Sequence, residues 1–134
     1  MKYILGINAF HADSSAVLIK NGEVKAAIEE EKFTRIKHWS GFPKESIKWC
    51  LEYAKINFSD ISHIGINTNP TSTYYRKLRY VLFNKPNLSF YIDRFKNKNK
   101  GNSIKELLQT EFCNNNPLNA EIHYIDHHFC HMSS

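Results

Sequence analysis

The chain has 134 residues, enough for one domain of ordinary size with a buried core. A net charge of +5 and a pI of about 9.1 permit an anionic partner such as a phosphate, a nucleotide or RNA, without requiring one. No apolar run reaches the roughly 18 residues of a membrane span, and the apolar start Met1–Gly6 is too short for a signal peptide, so neither is expected. Three widely spaced cysteines (Cys50, Cys113, Cys130) with no Cys-x-x-Cys fit free thiols in a reducing, cytoplasmic setting better than a disulfide framework.

Residues 2–8 read as a buried first strand and 15–20 as a second, joined by a polar turn from Ala9 to Ser14. Asn21-Gly22 is a strong hairpin signal, because both residues tolerate positive φ, and 23–29 return as a third strand. Residues 29–43 form a charged loop ending in Pro43, which suits the first turn of a helix. Ile47, Cys50, Leu51 and Ala54 then follow helical spacing over 44–56. Ile61 to Asn67 alternates as a fourth strand. Tyr74, Leu78, Val81 and Leu82 suit a helix interrupted by Pro86, and 90–95 a second helical piece. Ser103 is a fair N-cap for a helix over 104–113, and 120–125 is a short strand.

The order β-β-β-α-β-α-α-β-α suits a mixed sheet with flanking helices. It matches an α/β fold of the ribonuclease-H-like type, the repeated half of the actin/hexokinase/Hsp70 superfamily.

Three stretches can carry chemistry. In the turn Phe10-His11-Ala12-Asp13-Ser14-Ser15, small hydroxyl residues and backbone N–H groups can face an anion. Asp13 can hold a metal-bound water and His11 can act as a general base near neutral pH. On spacing alone the plainer reading, a hairpin turn bonding its own backbone, is preferred. In the charged loop, Arg35, Lys37 and His38 can grip a phosphate, but on these residues alone a solvated loop with weak ion pairs is the preferred reading. In the third stretch, His123, His127, His128 and His131 crowd the end of the sequence. His127 and His131 are spaced to share one helix face and one metal ion, and the alternative is a helix start with exposed imidazoles. His128 stands where a helical zinc protease needs Glu, which argues against that class.

Taken together, Ile4–Asn8, His11–Ala16, Glu29–His38 with Gly41-Phe42-Pro43, and Asp126–Ser134 resemble the start of the O-carbamoyltransferases, which act on nodulation factors, cephamycins and aminoglycosides. Ala12 separates His11 from Asp13, where some members place His directly before Asp. The resemblance spans essentially the whole chain and about the first quarter of the family's length. It implies that the fold is incomplete, with residues 1–134 the amino-terminal portion of a catalytic domain similar to the threonylcarbamoyl-transfer proteins of tRNA modification. Such a domain holds carbamoyl-adenylate, made from carbamoyl phosphate and ATP by an adenylating domain, on Fe(II) or another divalent metal. The carbamoyl group then passes to the hydroxyl of a small-molecule acceptor. By the same resemblance His127 and His131 are metal ligands and His11 is the base. Asp13, Ser14 and Ser15 line the phosphate or metal-water side, and Arg35, Lys37 and His38 contact the anion. The partner implied is the remaining part of the carbamoyltransferase, without which activity is not expected.

Two non-enzymatic readings compete. The stretch from Arg76 to Lys100 holds eight Lys or Arg against one Asp, with Tyr74, Tyr75, Tyr80, Phe90 and Tyr91 close by, a composition that can bind RNA. An exposed helix and loop with snorkelling lysines explains it more simply, so nucleic acid is not the expected partner. The other reading is an interaction module that self-associates through an uncovered apolar surface.

Overall fold

A computed structural model describes residues 2–67, 104–114 and 116–125. Its five strands are β1 (Tyr3–Asn8), β2 (Ser15–Lys20), β3 (Glu23–Glu29), β4 (Ile61–Ile66) and β5 (Glu121–Tyr124). Its helices are α1 (Glu31–Thr34), α2 (Lys44–Ala54) and α3 (Ile104–Phe112), with a 3-10 turn at Phe58–Asp60. The strands form one sheet in the order β3-β2-β1-β4-β5. The β1–β2 and β2–β3 pairs are antiparallel, and β1–β4 and β4–β5 are parallel. An antiparallel meander extended by parallel strands on the far side of β1 is the ribonuclease-H-like arrangement expected from the sequence. The proposed helices over 72–95 lie outside the described residues.

One face of the sheet makes the core. Leu5 and Ile7 of β1, Ala16 and Leu18 of β2, Ala26 of β3 and Ile61, Ile64 and Ile66 of β4 are all buried there. They meet Ile47, Cys50 and Leu51 of α2 and Leu108 of α3. Phe58 stacks on Phe112 with ring centroids 5.1 Å apart, which joins the 3-10 turn to α3.

The spacing of β4 does not obey strict alternation, because Ile61, Ile64 and Ile66 are all buried. A register shift between Tyr3 and Ile4 resolves this: Tyr3 pairs with Ile61, and Ile4 with His63. Ser62 is the extra residue of the bulge, and its hydroxyl donates to the Tyr3 carbonyl at 2.9 Å. The bulge lets Ile61 reach the core and leaves His63 and Gly65 on the opposite face. On that face Ile4, Gly6, Val17, Ile19, Gly65 and Ile125 line an open groove of about 840 Å³.

The charged loop 29–43 is not irregular throughout, as its composition suggested. The Phe33 and Thr34 amides donate to the Glu30 carbonyl and wind α1. Arg35 ends it in a left-handed conformation, φ 60°. At the end of α2 the Lys55 amide donates to Glu52 and the Ile56 amide to Leu51, a Schellman closure with Lys55 at φ 53°. Glycine takes that conformation without a side-chain clash, so Lys55→Gly should stabilise the fold by about 0.5–1 kcal/mol in urea titration.

The Cys50 thiol is fully buried under β2, where its Sγ lies 3.8 Å from the Ala16 carbonyl oxygen. Burial pushes its pKa from 9.0 up to about 11. An unfolded thiol ionises from pH 9 upward while the native one stays neutral. This group therefore favours folding fully below pH 9 and progressively less as pH rises towards 11. At pH 8 Cys50 should resist a thiol-specific disulfide reagent in the native protein and react on unfolding. Mass mapping of the modified cysteines checks this, with rapid native labelling of Cys50 as the contrary result.

Candidate functional site

β1 ends at Asn8, and the chain turns through residues 9–14 before β2 begins at Ser15. Asn8 shapes the turn from within. Its side-chain amide donates to the Ala12 carbonyl at 3.2 Å and the Asp13 carbonyl at 2.9 Å. Its side-chain oxygen accepts from the side-chain amide (Nδ2) of Asn67 at 2.7 Å, just past the end of β4. The two asparagines thus join the carboxyl ends of adjacent parallel strands, where ligands of open α/β sheets commonly bind.

The turn is also tied to the charged loop. The Phe10 amide donates to Gly41 and the Ser14 amide to Trp39, while the Ser14 carbonyl accepts from the Glu30 amide at 2.8 Å. The Ser14 hydroxyl reaches the carbonyls of His11 at 3.1 Å and Gly41 at 2.8 Å. At 0% exposure Ser14 is part of the joint between loops, and its hydroxyl faces protein rather than solvent. A Cβ at Gly41 would lie 2.8 Å from the Trp39 ring, so a larger residue there would have to displace the indole.

Docking the loop on the turn brings two of the sequence-proposed residues together. Asp13 (φ 60°) and His38 (φ 56°) both sit in left-handed backbone. Their side chains, both exposed, meet with His38 Nδ1 2.9 Å from Asp13 Oδ1. A carboxylate only accepts hydrogen bonds, so this contact puts a proton on Nδ1 and leaves Nε2 as the basic nitrogen of the neutral ring. His11 is half-buried in the same turn, and Ser15 is half-buried at the start of β2. Ser15 lines the polar end of the 840 Å³ groove with Asn8, Asn67, Glu29 and Lys32. Arg35 and Lys37 are exposed on the loop, and among the described residues no ion pair ties their side chains to the turn. His127 and His131 lie outside the described residues, as does the basic stretch 74–100. The described chain leaves β5 at Ile125, whose amide donates to the Ile66 carbonyl at 2.8 Å, at the sheet edge that carries Asn67.

The residue least visible beforehand is Glu30. It is only 3% exposed. Its carboxylate accepts from the Glu45 amide at 3.1 Å, the Ser46 amide at 2.8 Å and the Ser46 hydroxyl at 2.6 Å. It thereby satisfies the orphan donors at the start of α2 from a remote part of the chain. Proline at position 43 followed by Ser46 is a weak signal of that need, and nothing in the Glu29-Glu30-Glu31 run singles out the middle carboxylate. Glu30→Ala should cost roughly 2–4 kcal/mol in urea unfolding, because it strands two amides and a buried hydroxyl. An unchanged urea midpoint would refute that role.

A ribonuclease-H-like sheet with a braced polar turn at its carboxyl edge defines the class of domain. Residues 3–134 match the carbamoyltransferase N-terminus family, and the chain belongs to that family. It is 40% identical over 93 residues to the uncharacterized protein sll1178 of Synechocystis sp., covering 69% of this chain and 15% of that protein. It is 50% identical over 58 residues to Nodulation protein NolNO of Sinorhizobium fredii, covering 43% of this chain and 8% of that protein. The chain thus spans a small part of the length of both relatives. YeaZ from Pseudomonas aeruginosa gives a TM-score of 0.38 at 14% identity, over 57% of this chain and 34% of that one. Among the described residues no helix is long and apolar enough to cross a membrane.

Proposed function

We propose that this chain contributes the donor-binding edge of an O-carbamoyltransferase, which passes a carbamoyl group from carbamoyl-adenylate to the hydroxyl of a small-molecule acceptor. The observation that carries the reading is the turn 9–14, braced by loop 30–41 so that Asp13 and His38 meet, while Asn8 and Ser15 at the two ends of the turn line the groove. Membership of the carbamoyltransferase N-terminus family supports the reaction class. A groove of about 840 Å³ lies within the range of small-molecule sites.

In this reading Ser15, Asn8 and Asn67 face the donor at the carboxyl edge of the sheet. Ser14 positions the turn. Asp13 fixes the tautomer of His38, whose ring contacts the adenylate phosphate, and Arg35 and Lys37 add positive charge to the loop. His11 takes the proton of the acceptor hydroxyl as its oxygen bonds to the carbamoyl carbon. The bond from that carbon to the phosphate oxygen breaks and AMP departs. His127 and His131, two imidazoles at i and i+4, are a donor set suited to Fe(II) or another divalent ion. Such an ion would supply Lewis-acid charge for the phosphate and the carbamoyl carbonyl. The remaining part of the carbamoyltransferase would make the adenylate from carbamoyl phosphate and ATP and supply the rest of the cleft.

The test is reconstitution. With the remaining part of a related carbamoyltransferase added in trans, the chain should support ATP- and carbamoyl-phosphate-dependent transfer to a hydroxyl acceptor. His11→Gln should lower kcat by roughly 10²–10⁴-fold with the circular dichroism unchanged. A well-folded pair that transfers nothing, or full activity without His11, would refute the proposal.

A further inference from the structure

The face of the sheet opposite the core carries a second group of metal-ligating side chains, away from the turn. β4 and β5 run parallel with His63 opposite Glu121 and Gly65 opposite His123. Positions 121 and 123 share a strand face, and the bulge at Ser62 sets His63 on that same face. His63 Nδ1 lies 3.1 Å from His123 Nε2, and the ring centroids are 5.3 Å apart. Glu121 Oε2 lies 3.6 Å from His63 Nδ1 and 3.8 Å from His123 Nε2. The three ligand atoms form a triangle accessible from one side, with side-chain exposures of 31% for His63, 45% for His123 and 69% for Glu121.

We propose that His63, Glu121 and His123 bind a divalent transition-metal ion, zinc by the chemistry of the donors. Bonds of about 2.0–2.1 Å to a tetrahedral zinc hold neighbouring ligand atoms roughly 3.3 Å apart. The observed edges of 3.1, 3.6 and 3.8 Å straddle that value, so small rotations of three side chains close the site. Two imidazoles and one carboxylate are a donor set zinc accepts, with a fourth position left to water or a further ligand. Neighbouring hydrogen-bonded strands fix the three Cα positions, so little backbone ordering opposes binding. The ion neutralises the Glu121 carboxylate and replaces a hydrogen bond between two rings that only one proton can occupy. It also clips β5 to β4 beyond their backbone ladder.

The site uses none of the residues placed in the carbamoyl-transfer chemistry, and the two can be tested apart. In the His127→Ala/His131→Ala chain, Zn²⁺ calorimetry should still show one equivalent bound, and Co²⁺ should give visible bands of a low-coordinate site. Replacing His63 or His123 with Ala in that background should weaken binding by about tenfold or more. In the unsubstituted chain, one equivalent of Zn²⁺ should shift the imidazole ¹⁵N resonances of His63 Nδ1 and His123 Nε2, a readout independent of variant folding. Unmoved resonances, or affinity indifferent to His63 and His123, would leave a plain His–His hydrogen bond and overturn the proposal.

Discussion

Ser14 commits each of its polar atoms to a neighbouring piece of chain. Its amide donates to Trp39, its hydroxyl meets the carbonyls of His11 and Gly41, and its carbonyl accepts from Glu30. A fully buried polar residue is tolerable only when it is satisfied in this way. These bonds tie the β1–β2 turn, the approach to α2 and the start of α1 into one unit. From there the order passes through Glu30, whose carboxylate holds the first turn of α2, to the helix that covers the core. The carboxyl edge of the sheet and the hydrophobic interior thus depend on the same few hydrogen bonds.

This bracing offsets a local cost. Phe10, Asp13, Arg35 and His38 all adopt left-handed backbone, and all four belong to the two segments that meet there. Such a conformation costs an L-residue about 1–2 kcal/mol, least for a short polar side chain such as Asp. Two turns of this sort, each held from outside, aim Asp13 and His38 at one another from positions 25 residues apart. Strain that survives only because surrounding bonds enforce it is a common mark of a site built for positioning.

Much of the architecture was legible because it rests on local signals. β1 and β2 carry period-two burial, Asn21-Gly22 closes a hairpin, and Ile47, Cys50 and Leu51 mark the inner side of α2. Tertiary partners were less legible. Ser14 and Ser15 are alike in sequence, yet Ser14 is sealed between loops while Ser15 faces the groove. Glu30 differs from Glu29 and Glu31 only through the helix it caps. The bulge in β4 was hidden as well, because a one-residue insertion inverts side-chain parity without altering composition. The family resemblance is carried by separate motifs, and those at the turn and the charged loop are in direct contact in the fold.

Side-chain parity also divides the histidines near the end of the sequence. His123 looks like the first of a cluster of four when distance is counted along the chain. Yet it sits within β5, where the neighbour that matters lies across the ladder. Backbone pairing to β4 sets it beside His63, a residue 60 positions away in sequence. The strand ends at Tyr124, so His127, His128 and His131 fall after it. Had β4 lacked its bulge while keeping the pairing of Tyr3 with Ile61, His63 would have shared the core face with Leu5. One inserted residue, Ser62, therefore both admits Ile61 to the hydrophobic core and gathers His63, Glu121 and His123 on the face opposite it.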